Sequence, residues 1–139
     1  MTARIDHLDL VVSVLDRSLG FYRGLLEPLG WTLTMTITGE RGEPVHYLGG
    51  ELGARPMAIS LRAAAGGGRQ PYDRYSVGLH HIAFAAESRA AVDARHRWAL
   101  EVGAHIEDAP REYDYTHGYY ALFLHDPDGI KLEVVHKPR

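Results

Sequence analysis

The stretch Ile5-Asp6-His7-Leu8-Asp9-Leu10-Val11-Val12 has a second copy later in the chain, and this duplication decides the fold. The second copy is Leu79-His80-His81-Ile82-Ala83-Phe84-Ala85-Ala86, which places His81 where the first copy has His7. Both stretches are short, apolar and bounded by polar residues, which is typical of strands. An internal repeat of this length indicates two copies of one supersecondary unit.

A helical pattern follows each of these strands. In the first copy Asp16 is the predicted N-cap, and apolar residues recur at helical spacing to about Leu29. In the second copy Ser88 is the predicted N-cap, and the helix is expected to end at Gly103.

Short strands are predicted after each helix, at 31–38, 45–49 and 56–62 in the first copy and at 105–108, 119–125 and 130–136 in the second. The turn sequence Asp126-Pro127-Asp128-Gly129 predicts a hairpin between the last two strands. The stretch 63–70 contains three consecutive glycines and has the composition of a linker. The predicted organisation is therefore α+β, with two βαβββ modules at about 4–62 and 79–137, a linker at about 63–78, and a single domain over 1–139.

Composition restricts the class of function. The chain has 139 residues, 45% of them hydrophobic and 24% charged, which is ordinary for a globular domain. Its formal charge of −3 and the absence of a basic run argue against nucleic acid or an anionic membrane as partners. No apolar stretch approaches the roughly 20 residues of a membrane span, so we expect a cytoplasmic protein. There is no cysteine, which excludes disulfides and thiolate metal ligands, whereas nine histidines stand out.

Strand alternation indicates which side chains share a face of the sheet. His7 lies with Asp9 and Val11, opposite the apolar residues that should pack under the helix. His81 is placed in the same way in the second strand copy. Because the two strands are equivalent in a duplicated fold, both imidazoles can point into one shared cavity.

Glu133 is the third candidate ligand. It sits within Lys131–Val135, with apolar neighbours on both sides. An unpaired carboxylate buried there would cost several kcal/mol or take up a proton. A divalent cation would relieve that cost, and two neutral histidines with one carboxylate suit Fe²⁺, Mn²⁺, Zn²⁺ or Ni²⁺. Each residue alone is more often a surface or core residue than a ligand, so the hypothesis depends on their matched placement.

Together these features resemble the vicinal oxygen chelate superfamily, which includes glyoxalase I, extradiol dioxygenases, fosfomycin-resistance and bleomycin-resistance proteins. The resemblance runs from Ile5 to His136 and implies two βαβββ modules forming a cupped mixed sheet. Members take metal ligands from the first and last strands of each module. The resemblance thus implies His7, His81 and Glu133 as ligands of one divalent ion, with Fe²⁺ or Mn²⁺ favoured. An alignment of the two modules puts Ser60, a poor ligand, at the fourth position and at the edge of the substrate pocket.

The reaction is not decided by this resemblance. An extradiol dioxygenase is ranked first, because an aromatic and polar stretch before the last hairpin suits a flat substrate. This stretch supplies His117 and Tyr119 as candidate catalytic residues and Arg111, Tyr113 and Tyr120 as candidate pocket residues. Phe123 stands where the extradiol signature has Tyr, and His117 is too close to Leu122, so the match is imperfect. A surface loop without a function, ending in a strand, would explain these residues nearly as well.

Other functions remain open. A glyoxalase-type lyase or isomerase and a fosfomycin-type thiol transferase use the same fold, and bleomycin-resistance members only bind a drug in the dimer cleft. Retention of the three candidate ligands argues against the last. We also expect a homodimer, since a duplicated open sheet leaves strand edges to be covered.

Overall fold

A computed structural model of the chain describes residues 2–52, 55–67 and 71–139. Its elements are β1 (His7–Val12), α1 (Leu15–Leu26), β2 (Thr32–Thr38), β3 (Pro44–Leu52), β4 (Arg55–Ala63), β5 (Ile82–Ala85), α2 (Arg89–Glu101), β6 (His105–Tyr113), β7 (Tyr119–His125) and β8 (Lys131–His136). Short 3-10 turns follow α1 at Glu27–Leu29 and β4 at Ala65–Gly67. The element order is βαβββ twice, as predicted.

The chain divides into two compact units, Met1–Gln70 and Pro71–Arg139. We call them module one and module two. Each contains one four-stranded mixed sheet, with strand order β1-β4-β3-β2 in module one and β5-β8-β7-β6 in module two. In each sheet the first and last strands of the module pair in parallel, and the remaining pairs are antiparallel. The fold class is α+β, which confirms the prediction.

The core of each module lies between its helix and one face of its sheet. In module one the buried side chains include Leu10, Val12, Ile59 and Leu61 from the sheet and Tyr22, Leu25 and Leu26 from α1. In module two they include Phe84, Leu122, Leu132 and Val134 from the sheet and Val92 and Ala99 from α2. Alternation along each strand sends the intervening residues to the other face. We call these other faces the His7 face and the His81 face.

The predicted helix starts have different outcomes. The Ser88 side chain accepts a hydrogen bond from the Ala91 backbone N–H at 3.0 Å, so the predicted cap of α2 is confirmed. The prediction for Asp16 is wrong, because α1 begins at Leu15 and its N-cap is Val14, without a side-chain cap. Asp16 instead lies in the first turn, where its negative charge favours the helix dipole.

Several strand bounds differ from the sequence prediction, and β3, for example, runs to Leu52 where the prediction ended at 49. β5 begins at Ile82, after His81, and β6 continues to Tyr113, well beyond the predicted 105–108. Irregular pairing at Ile106/Asp108 and Asp108/Arg111 interrupts the alternation of β6, which explains why its pattern was hard to recognise. The predicted hairpin is confirmed: β7 and β8 pair antiparallel, and Gly129 has a φ of 86° in the turn. No helix among the described residues is long and apolar enough to cross a membrane.

Candidate functional site

The two modules share one register between their first and last strands. In module one Leu8 pairs with Ile59 and Asp9 with Ser60. In module two Ile82 pairs with Leu132 and Ala83 with Glu133. The residue two positions after His7 is Asp9, paired with Ser60, and the residue two positions after His81 is Ala83, paired with Glu133. These two cross-strand pairs therefore occupy equivalent positions in the two modules. Ser60 is the counterpart of Glu133, as the alignment predicted.

Module two brings His81 and Glu133 together. His81 Nε2 lies 3.3 Å from Glu133 Oε2, and the Glu133 side chain is only 2% exposed. The Tyr119 hydroxyl donates a hydrogen bond to the other oxygen, Oε1. Burial, the hydrogen bond to Glu133 and the charge of that carboxylate raise the pKa of Tyr119, so the phenol keeps its proton. One carboxylate is thus held from both sides by a phenol and an imidazole.

An aromatic cluster surrounds this carboxylate on the His81 face. Tyr113 stacks on Tyr115 with ring centroids 5.2 Å apart and packs edge-on against Phe123 at 5.4 Å. Tyr119 meets Tyr115 edge-on at 5.1 Å, and the Arg111 guanidinium lies 4.0 Å from the Tyr113 centroid. The cluster offers flat apolar surface with a few polar atoms beside a carboxylate, which suits an aromatic ligand.

A group of charged side chains occupies the other end of the His81 face. Glu107 is paired with Arg74 at 2.5 Å, Lys131 at 2.8 Å and His125 Nε2 at 3.1 Å. Burial alone would raise the pKa of Glu107, but hydrogen bonds from Lys131, Arg74 and His125 outweigh it and lower the pKa to about 2. No motif in the sequence predicts this group. Only the position of Lys131, two residues before Glu133, could have indicated it.

Module one presents its histidine differently. His7 is 48% exposed, and its Nδ1 lies 2.7 Å from the Asp6 carboxylate. That hydrogen bond is the main cause that raises the pKa of His7, and the charge of Asp9 adds to it. A proton held at Nδ1 by Asp6 leaves Nε2 as the acceptor of the neutral ring.

Ser60 and Asp9 are joined on the His7 face. Ser60 is fully buried and donates its hydroxyl proton to Asp9 Oδ1. Arg62 Nη2 lies 3.3 Å from the other oxygen of Asp9. Strand alternation predicts Asp9 on the same face as His7, and an acidic residue two positions from a candidate ligand was the signal for this contact.

The predicted pocket residues divide by strand face. Arg111, Tyr113 and Tyr119 lie on the His81 face with Glu133. Tyr120 lies on the opposite face, where its hydroxyl donates to Asp93 of α2 at 2.6 Å. Consecutive strand residues must point to opposite faces, so Tyr119 and Tyr120 could not both reach one pocket.

His117 lies apart from this group as well. It is an exposed residue of the turn before β7. The pKa of the nearby Glu112 carboxyl is lowered mainly by its hydrogen bond from Arg89, and His117 adds a small effect of the same sign. Glu112 pairs with Tyr120, across the sheet from the face of Glu133.

The chemistry of the candidate ligand atoms, imidazole nitrogen and carboxylate oxygen, suits a divalent metal ion. Module two supplies an imidazole and a buried carboxylate in contact, and module one supplies the half-exposed imidazole of His7. In the described part of either module, no three histidine or acidic side chains gather on one point. The buried carboxylate of Glu133 contacts a phenol and an imidazole, and a divalent cation beside it would balance its charge.

Comparisons with known proteins agree on the fold. The chain is 30% identical to the uncharacterized protein YqjT of Bacillus subtilis strain 168, over 94% of this chain and 97% of that one. A glyoxylase/bleomycin resistance protein/dioxygenase domain from Frankia sp. EAN1pec has a TM-score of 0.79 and 25% identity, covering 99% of this chain and all of that one (100%). The fosfomycin resistance protein FosX of Listeria monocytogenes shares the fold alone, with a TM-score of 0.69 and 16% identity over 99% and 96% of the two chains.

A family model gives the same result over nearly the entire chain. It matches residues 4–134, which include both modules and all three candidate ligands. The chain belongs to the Glyoxalase/Bleomycin resistance protein/Dioxygenase superfamily.

Proposed function

We propose that this protein is a metal-dependent enzyme that binds a small organic substrate through two neighbouring oxygens. His7, His81 and Glu133 would hold one divalent ion, with Fe²⁺ or Mn²⁺ favoured over Zn²⁺ or Ni²⁺. The observation that carries the proposal is the contact of His81 with the buried carboxylate of Glu133. When bound, the ion would act as a Lewis acid toward the substrate oxygens.

The residues of module two would orient the carboxylate and the substrate. Tyr119 holds Oε1 of Glu133 by its hydroxyl, which leaves Oε2 on the side of His81. Tyr113, Tyr115 and Phe123 form an aromatic surface on the same face, which would bind a flat ring and exclude water from it. An aromatic substrate with vicinal oxygens is a catechol. We therefore rank an extradiol-type ring cleavage first.

The test begins with the metal. Protein purified without chelator is analysed for bound elements, and Mn²⁺ and Fe²⁺ affinities are then measured for the wild type and for Glu133→Gln. We expect one divalent ion per site in the wild type and a large loss of affinity in the variant, with unchanged far-UV circular dichroism. A wild type that binds no divalent ion would contradict the proposal and leave a drug-binding role.

The reaction is tested separately. Protein loaded with Fe²⁺ without oxygen is mixed with a panel of catechols, and oxygen is then admitted. Oxygen uptake with coloured ring-cleavage products is the expected result, and Tyr113→Ala should lower it by weakening substrate binding. Tight metal binding with no uptake for any catechol would reject the dioxygenase and keep the metal site.

A second candidate reaction is favoured by the charged group on the His81 face. Arg74 and Lys131 both form ion pairs with the carboxylate of Glu107. An anionic substrate would be attracted there, as a glyoxalase-type lyase or a fosfomycin-type thiol transferase would require. Turnover of an anionic epoxide with a thiol in the presence of Mn²⁺, lost in Lys131→Met, would favour this reading.

A further inference from the structure

Strand β2 is an open edge of the module-one sheet. Among the described residues it pairs with β3 alone, so its outer side has no strand partner. All seven residues, Thr32–Thr38, are exposed. The apolar side chains of Met35 and Ile37 are 52% and 40% exposed, and alternation places them on one face of the strand. The backbone N–H and C=O groups of such an edge are a template for another strand.

The other edges of the two described sheets carry features that prevent pairing. β5 has only four residues, and β1 carries the acidic Asp9. β6 is the counterpart of β2 in module two, and it contains Pro110, which cannot donate a hydrogen bond, together with two breaks in register. Its charged residues are Glu107, Asp108, Arg111 and Glu112. Short length, charge, proline and irregular pairing are the means by which proteins block the edges of sheets.

The second half of β2 has none of these features. The strand contains no charged residue and no proline. Its one break in register lies between Leu33 and Met35, and the pairing with β3 is regular from Met35 to Thr38. Since β2 and β6 hold the same place in the two modules, the fold itself does not impose the difference between them. β2 is therefore the edge of this chain that is able to pair.

The sequence of β2 indicates which strand would pair with it. The segment Thr34–Thr38 is Thr-Met-Thr-Ile-Thr, and its pattern of threonine and apolar residues is the same in both directions. Antiparallel pairing with its own copy, about a two-fold axis at Thr36, would place Met35 opposite Ile37 and Thr34 opposite Thr38. Apolar residues then meet apolar residues and threonines meet threonines, and both kinds of cross-strand pair are favourable. A partner of another sequence would not require this symmetry.

We propose that β2 pairs antiparallel with β2 of a second copy of this chain, on a two-fold axis at Thr36. The two four-stranded module-one sheets would then form one continuous sheet. A two-fold contact uses the same edge in both copies and so closes at a dimer. The features of β6 that block pairing would prevent further growth at that edge. The proposal goes beyond the proposed function and does not depend on the metal site.

A single introduced thiol tests the axis directly, because the chain has no cysteine. Directly opposed residues of an antiparallel pair have Cα atoms about 4.5–5.5 Å apart, within the range of about 4.4–6.8 Å that a disulfide spans. Mild oxidation of Thr36→Cys should therefore convert most of the protein to a covalent dimer, measured on a non-reducing gel. Ala109→Cys is the matched control, since Ala109 is an exposed residue of β6 and should link much more slowly. Equal rates for the two variants would overturn the proposal.

The register is tested with two further variants, Thr34→Cys and Thr38→Cys. In the proposed pairing each of these residues lies about 14 Å along the strands from its own copy, at about 3.4 Å per residue. Neither variant should link to itself. A mixture of the two, with an affinity tag on one, should form the mixed disulfide, because Thr34 of one copy lies opposite Thr38 of the other. Self-linking as fast as mixed linking would show that the axis is not at Thr36.

The state of the unmodified protein decides between the remaining outcomes. Sedimentation velocity at micromolar concentration should give a dimer for the wild type and for reduced Thr36→Cys, with the same far-UV circular dichroism for both. A monomeric wild type would refute the proposal. A wild-type dimer in which Thr36→Cys links no faster than Ala109→Cys would refute it as well, because the interface would then lie elsewhere on the chain. Metal binding is measured independently, so neither result decides the proposed function.

Discussion

The hydroxyl of Tyr119 donates a hydrogen bond to Oε1 of Glu133 and so fixes the carboxylate that faces His81 through its other oxygen. Outer partners of this kind orient metal ligands. We expect Tyr119→Phe to lower Mn²⁺ affinity by about 10–100-fold, measured by calorimetry. Tyr120→Phe is the matched control, because it removes a hydroxyl bonded to Asp93 on the opposite face. Equal effects of the two variants on metal binding would contradict the assignment.

Ser60 should matter less to the metal than His7. Its side chain is fully buried and its hydroxyl donates a hydrogen bond to Asp9 Oδ1, so we expect it to lie beside the ion without binding it. Ser60→Ala is expected to weaken Mn²⁺ binding by no more than about 10-fold, the lower end of outer-partner effects. His7→Ala should abolish tight binding. Losses of the same size in the two variants would show that the coordination set has been misassigned.

Asp6 should set the pH at which the His7 imidazole loses its proton and can bind a metal ion. Its hydrogen bond raises the pKa of His7 above 6.5, and a protonated imidazole cannot bind a metal. Asp6→Asn should therefore shift the NMR titration of the His7 ring in metal-free protein to lower pH. Mn²⁺ binding should then persist to lower pH as well. Asp16→Asn, in the first turn of α1, serves as the control and should leave the titration unchanged.

Glu107 should make the fold sensitive to acid. Its pKa is lowered from 4.5 to about 2, so it stabilises the folded state above pH 4.5 and this contribution is lost as the pH falls from 4.5 toward 2. Glu107→Gln is expected to lower the free energy of unfolding at pH 7 by about 1–3 kcal/mol, as for hydrogen bonds to a charged group. Its urea midpoint should also depend less on pH in that window. Glu112→Gln, which removes an exposed pair with Arg89, should change neither quantity appreciably.

The predicted homodimer has a candidate surface in β2. This strand is an edge of the module-one sheet and is exposed along its whole length, including Leu33, Met35 and Ile37. Exposed apolar edge strands are covered in most proteins. Sedimentation velocity at micromolar concentration should give a dimer, and Ile37→Lys should shift it toward monomer. A stable wild-type monomer would show that the prediction is wrong.

The duplication and the strand faces could be predicted from the sequence because they depend on period alone. The matching positions of His7 and His81 in the repeat, and of Ser60 and Glu133, both follow from counting residues in similar strands. The prediction of Tyr120 as a pocket residue is wrong because it follows the residue type and ignores the alternation of side chains along β7. The contacts of Asp9 and Glu107 could not be predicted, since they depend on which strands pair and on partners far along the chain, Arg62 at 53 positions from Asp9 and Arg74 at 33 positions from Glu107.

The shared register of β1 with β4 and of β5 with β8 limits how such a chain can change over time. Inserting or deleting one residue in any of these strands would turn every following side chain to the opposite face, and His7 or Glu133 would then point under a helix. Substitutions carry no such penalty, as the exchange of acidic and small residues between the two modules illustrates. Differences among descendants of this chain should therefore be substitutions within these four strands, with changes of length confined to the loops that join them.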